Sequence, residues 1–312
     1  MLRRVADHLF WASRYLERTQ WRSRLVDVNY HLILEVPPRD TDPWDPLLSI
    51  TAERDVFARR YAHADETSVV NFFTFDRDNP SSIANCIEAL RLNLSSIRHL
   101  ISSELWLEVN RLYLKMREWL PQQLASVGVS AFFADLRESF YAITGVINAT
   151  MRRDVAYDFI EIGTMLERSD NVARLLDVKY HYLLPKVEDV GGSADMRQWA
   201  AVLRSASALE AFRQIYGNSI RVDRVVEMIM FDGAFPRSVR FSAERLGAAL
   251  ARVAATGPEP GPHTAASGLI ALLEGRSSGD IIASGLHEFL LQVQNQCSLI
   301  SNSVVHEYMS LA

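Results

Sequence analysis

The sequence predicts an all-α protein, an internally duplicated helical bundle with two long central helices related by pseudo-twofold symmetry. Three observations carry this reading. Apolar residues recur at three- and four-residue intervals over most of the chain, and no segment keeps the two-residue alternation of a strand. Glycine (14) and proline (11) are sparse and gather between the periodic segments. Leu16–Leu34, LERTQWRSRLVDVNYHLIL, returns as Leu166–Leu184, LERSDNVARLLDVKYHYLL, with ten of nineteen positions identical at an offset of 150. A second echo, at an offset of 156, matches Phe75-Asp76, Pro80 and Ser82 with Phe231-Asp232, Pro236 and Ser238. The expected organisation is one domain, 1–312, made of tandem repeats over 1–125 and 130–312.

The first element is a long helix from Leu2 to about Leu34, since Leu2, Val5, Leu9, Ala12 and Leu16, then Val26, Tyr30 and Ile33, keep helical spacing until Pro37-Pro38. A polar loop over 36–46 follows, then shorter helices near 45–62 and 66–75. Asn79-Pro80 places a capping residue before a proline suited to the first turn of a helix running to about Ser102. Glu104–Leu120 continues in helical period to Pro121, 130–151 forms another periodic segment, and 154–184 is the long helix that mirrors the first. Gly191-Gly192-Ser193 marks a surface loop. Helices are then expected near 196–216, 221–231 and 236–255, the last opening at Pro236. TGPEPGPHT (256–264) interrupts the pattern, and helices near 265–275 and 279–309 close the chain.

A chain of 312 residues can bury roughly three quarters of its unfolded surface. Net charge is −5 with no basic tract, which removes any general electrostatic reason to bind nucleic acid or anionic lipid and leaves room for a local anion pocket. Cys86 and Cys297 lack metal-type spacing and read as buried small hydrophobes. Asp7, Arg14, Glu17 and Arg18 interrupt the first apolar patch, and a signal peptide is not expected there. No run approaches the roughly 18 apolar residues of a membrane span, and a cytoplasmic protein is expected. None of the eight histidines has an acidic residue three positions before it, which argues against a ferritin-like di-metal site. Walker, GxGxxG, GxSxG and HExxH patterns are absent, and no cofactor or metal is expected.

On a helical wheel Phe10, Ser13, Trp21, Arg24, Val28 and His31 fall within about 40° of Glu17, and Arg18, Arg22 and Asn29 mark the wet face. The second stripe holds Ile160, Gly163, Glu167, Asn171, Arg174, Val178 and His181. Buried charges persist only when paired. One reading is therefore structural, with Glu17 against Arg174 and Glu167 against Arg24 across the pseudo-axis, or with bonds to neighbouring helices, fixing the register of the bundle. The other is functional: Glu17 and Glu167 are candidate catalytic carboxylates in a polar cleft, with Arg14, Arg18, Arg24, Arg168, Asn171 and Arg174 binding substrate. Arg237-Ser238, at the start of an incoming helix, is a further candidate for an anionic ligand. In the repeated Phe-Asp…Pro-x-Ser element the aspartates are expected to tie loop amides. Asp27/His31 and Asp177/His181 repeat at i, i+4, an ordinary ion-paired flank or half of a metal or proton-relay site. Gly163 permits close helix packing or close approach of a ligand, packing being the stronger cause.

The segments MLRRVADHLFWASRYLER, FIEIGTMLERSDNVARLLDVKYHYLL, FPRS and GLHEFL, in that order, resemble the bacterial alpha-E domain family over essentially the whole chain. The resemblance implies a helical partner of a circularly permuted ATP-grasp amide ligase, in company with a transglutaminase-like protease and sometimes a proteasome-like peptidase. The task it implies is making or processing a peptide or peptide tag, by binding the substrate or completing a composite site. The Glu-Arg pair stands at Glu17-Arg18 and Glu167-Arg168. The family's acidic-Asn pair is Gln20-Trp21 in the first copy and is kept as Asp170-Asn171 in the second, and its Arg-Glu-Asn-x-Arg run is Arg91-Leu92-Asn93-Leu94-Ser95. The second half is the safer place to look for a site. Two rivals stand beside the partner reading: an interaction scaffold without a small-molecule site, and an enzyme using Glu167 as base on an amide or acyl-phosphate. A sealed, ion-paired centre favours the scaffold; an open cleft with a raised Glu167 pKa favours chemistry.

Overall fold

Helical period becomes helix over nearly the whole chain. The computed structural model describes residues 3–35, 43–119, 121–182, 192–255 and 261–309, and among them every regular element is helical. The first half contains α1 (Arg3–Glu35), α2 (Asp45–Ile50), α3 (Arg54–Ala58), α4 (Glu66–Thr74), α5 (Ile83–Ser96), α6 (Ser103–Glu118), α7 (Leu124–Val127) and α8 (Val129–Thr150). The second contains α9 (Val155–Tyr182), α10 (Ser193–Ser205), α11 (Leu209–Tyr216), α12 (Val222–Val226), α13 (Val239–Ala254), α14 (Gly261–Leu273), α15 (Ser278–Ser284) and α16 (Leu286–Tyr308). No described helix is long and apolar enough to cross a membrane.

The long helices α1 and α9 lie against each other at the centre. Around α1 pack α5 and α8, with α6 between them; around α9 pack α13 and α16, with α14 between them. Leu9, Phe10 and Val26 of α1 and Ile162, Ala173 and Leu176 of α9 are fully buried, and one continuous apolar core runs from Val5 to Val304. The two helices meet closely because Gly163 has no side chain. A Cβ there would stand 2.1 Å from Ser13 Oγ and 2.5 Å from the Phe10 carbonyl oxygen. Close packing is thus the role of this glycine.

Several boundaries differ from the periodicity. The cap of α5 is Ser82, whose hydroxyl accepts from the Asn85 amide, and Asn79 instead accepts from the Ser81 amide in the preceding turn. In the same way Ser238, two residues after Pro236, caps α13 by accepting from the Phe241 amide at 3.0 Å. The prolines precede the caps and the serines do the capping. Helix α5 ends at Ser96 and Ser102 opens α6. The expected helices over 45–62, 196–216 and 279–309 are each broken, at Ala52 (φ 56°), Ser207 (φ 54°) and Gly285 (φ 117°). The segment near 221–231 ends in a π-helical turn, Glu227–Phe231. Pro37-Pro38 with most of the 36–46 loop, Gly191, and residues 256–260 lie outside the described residues.

Candidate functional site

The glutamates of the two Leu-Glu-Arg triplets meet the arginines of the opposite triplet. Arg168 donates to Glu17 through Nε (3.0 Å to Oε1) and Nη2 (2.8 Å to Oε2). Arg18 donates to Glu167 through Nε (2.7 Å to Oε1) and Nη2 (3.1 Å to Oε2). Each carboxylate takes one further arginine: Arg237 Nη1 reaches Glu17 Oε1 at 2.9 Å, and Arg14 Nε reaches Glu167 Oε2 at 2.8 Å. Arg14 also donates to Ser301 Oγ at 2.8 Å, and Arg168 to the Pro236 carbonyl at 2.9 Å, so α16 and the α13 entry are tied into the same network.

Both glutamates are 3% exposed. Burial pushes the Glu17 carboxyl up, but Arg168, Arg237 and Arg24 outweigh it and hold it at about 2. Glu167 is likewise pushed up by burial and held at about 2 by Arg18 and Arg14. A carboxylate with that proton affinity is a poor general base near neutral pH. Two cavities, of about 650 and 360 Å³, are lined by residues other than these glutamates.

The expected partners are therefore corrected. Glu17 does not pair with Arg174, nor Glu167 with Arg24. Arg174 donates to Asp170 on its own helix at 2.9 Å, and the Nη1 of Arg24 is buried with no hydrogen-bond partner. Arg18 and Arg22, assigned to the wet face, are both engaged, Arg18 by Glu167 and Arg22, 4% exposed, by Glu53 at 2.9 Å. The close crossing at Gly163 lets residues either side of the Glu stripe reach the opposite helix. Asn171 is buried with its Nδ2 unpartnered. Ser238 is buried as the α13 cap, so the anion that reaches this corner is Glu17, held by Arg237. Asp76 and Asp232 do tie loop amides, accepting from Asp78 (3.0 Å) and Ala234 (2.8 Å).

Asp27 lies 3.7 Å from His31 but is engaged mainly by Arg137. The side chain of His181 lies outside the described residues; its helix neighbour Asp177 accepts from His287 Nδ1 at 2.6 Å, at the rim of the larger cavity. The smaller cavity holds a second ion-pair cluster that periodicity did not single out, in which Arg252 and Arg245 cover buried Asp158 and Glu161. Gln20 was also missed: it accepts from Arg237 at 3.4 Å and donates to Thr144 at 2.9 Å. Among the described residues no cluster of three or more His, Cys, Asp or Glu side chains could hold a metal ion.

Comparison with known proteins adds a family and no chemistry. Residues 1–309 match a family model described as a predicted alpha-helical domain with a conserved ER motif. The chain is similar to two uncharacterized proteins, Rv2567 of Mycobacterium tuberculosis and Mb2597 of Mycobacterium bovis, each 25% identical over 265 residues. Those alignments cover 79% of this chain and 29% of each relative, so the chain spans less than a third of the length of the curated relatives it matches. No solved structure matches.

Proposed function

The chain belongs to the Alpha-E family, and from that premise we propose that it is a non-catalytic, cytoplasmic helical partner of a circularly permuted ATP-grasp amide ligase in peptide or peptide-tag synthesis. The observation that carries the non-catalytic part is the state of the ER pairs. Both glutamates are sealed, doubly ion-paired and held at about 2, which makes them a lock between the two long helices. An enzyme using Glu167 as base would need that carboxyl accessible and raised.

The work of such a partner falls to its surface. Leu107 and Leu114, seven residues apart on one face of α6, are 57% and 47% exposed, and that face is the one we assign to the partner. The relatives also support action beside other domains, since most of their length lies outside the match. A transglutaminase-like protease is a second candidate partner on the same resemblance. The tandem-repeat reading is part of the proposal too, supported by the matching order of neighbours around α1 and α9.

Co-expression with a circularly permuted ATP-grasp ligase from the same genome tests the proposal. A stable complex is expected, weakened by the double substitution Leu107→Asp/Leu114→Asp, with ligase turnover unchanged in Glu167→Gln at a temperature where that variant is folded. Absence of a complex removes the partner reading. Lost turnover in folded Glu167→Gln replaces the scaffold by a composite active site.

A further inference from the structure

The bundle centre carries more guanidinium than carboxylate, and the excess is larger around Glu17 than around Glu167. Near Glu167 are Arg14, Arg18 and Arg174, and there Asp170 supplies a second carboxylate by taking Arg174 Nε at 2.9 Å. Near Glu17 are Arg168, Arg237 and Arg24, and among the described residues no carboxylate pairs with Arg24, since Asp27, one turn on, is taken by Arg137. The residues 150 positions before Asp170 and Arg174 are Gln20 and Arg24. Gln20 is neutral, and both ends of its amide are occupied, by Arg237 and Thr144.

Arg24 is left as a nearly buried cation, 5% exposed, whose Nη1 has no partner. One turn earlier on the same stripe, Trp21 Nε1 is a second buried donor without a partner. Native interiors satisfy such donors and balance such charges. Arg237 registers the imbalance: burial lowers its pKa, Arg168 and Arg24 lower it further against the pull of Glu17, and it falls to about 10. With its side chain 17% exposed, Arg237 also links this corner to the surface.

We propose that Arg24, with Arg237 beside it, binds a small oxyanion, a carboxylate or phosphate group, that supplies the negative charge Asp170 supplies on the other side. A guanidinium edge offers parallel N–H donors that match such oxygens. The site is separate from the surface assigned to a protein partner, and its test needs no ligase.

Thermal shift and calorimetric titration of the purified protein, from a low-salt zwitterionic buffer, test this with sodium phosphate and sodium glutamate against sodium chloride at equal ionic strength. Phosphate or glutamate is expected to raise Tm by about 3 °C or more over chloride, the larger response identifying the source. Arg24→Gln loses the response. Gln20→Glu places the missing carboxylate internally, so it raises Tm without added anion and no longer responds. An equal effect of all three salts, or a response retained by Arg24→Gln or by Gln20→Glu, overturns the proposal.

Discussion

Glu17 and Arg168 close a two-point ion pair at 3.0 and 2.8 Å, and the same dipeptides read the other way, Arg18 and Glu167, close a second at 2.7 and 3.1 Å. Every member is at least four-fifths buried at the side chain. The pairs are therefore a condition on how α1 and α9 can meet, because either helix displaced along the other strands a charge in the core. Removing one partner of a buried pair costs far more than the pair contributes net.

Glu17→Gln leaves Arg168 and Arg237 uncompensated, and Glu167→Gln leaves Arg14 and Arg18 so. Each substitution is expected to destabilise the fold by about 3–5 kcal/mol in urea unfolding. Glu17→Gln combined with Arg168→Met should recover part of that loss, since fewer unpaired charges remain. A loss below about 1 kcal/mol in either single variant, the range of exposed pairs, would contradict the lock.

Acid should open the same lock. A carboxyl held at about 2 in the fold against an ordinary 4.5 contributes stability on the order of 3 kcal/mol, and there are two. Because the folded-state values are lowered, that stability is complete above about pH 4.5 and is lost as pH falls toward 2. A Tm-versus-pH curve is expected to fall steeply across this window. The fall should be shallower in Glu167→Gln, which starts from a lower plateau. Curves of equal slope would show that the glutamates do not drive the acid transition.

How far the sequence discloses this arrangement depends on what helical period encodes. It reports which residues of one helix share a face, so the long helices and the central position of Glu17 and Glu167 are legible from the LER repeat and its stripe. It does not report how closely two helices approach. A wheel drawn for α1 alone sends Arg18 toward solvent; with α9 drawn in at Gly163, Arg18 reaches Glu167. The breaks at Ala52 and Ser207 were hidden for a related reason. Positive φ at a residue other than glycine is imposed by the surrounding packing and leaves no local signature.

The approach itself can be tested at Gly163. A methyl group there would collide with the Ser13 hydroxyl, which can be removed, and with the Phe10 carbonyl, which cannot. Gly163→Ala is expected to cost about 1–3 kcal/mol, despite the gain in helix propensity that the exchange ordinarily brings. Adding Ser13→Ala should return only part of the loss. Full rescue would place the clash at Ser13 alone; a neutral Gly163→Ala would mean that α1 and α9 can separate without penalty.

The capping assignment separates serine from proline. Ser82→Ala and Ser238→Ala each remove a hydroxyl that accepts from the helix's third amide, for about 1 kcal/mol. Ser238 should cost more, since its hydroxyl also donates to the Asp232 carbonyl. Pro80→Ala and Pro236→Ala, which lie before the caps, are expected to change stability by less than half as much. Chemical denaturation of the four variants gives the order, and larger losses at the prolines would reinstate them as the helix starts.

The two cysteines offer a reading of the centre without a ligand. Burial pushes the Cys86 thiol up to about 11 and raises Cys297 as well, and both thiols feel Glu167 and the arginines around it. Attack on a disulfide reagent needs the thiolate and access to it, so neither cysteine should react at pH 8 until the bundle opens. When reclosing is faster than labelling, the rate follows the population of the open form. A Glu167→Gln variant destabilised by about 3 kcal/mol should then label roughly a hundredfold faster at both positions. Acceleration at Cys86 or Cys297 alone would mean that the ER pairs hold only the adjacent helix in place. Equal acceleration identifies them as the element on which closure of the whole bundle depends.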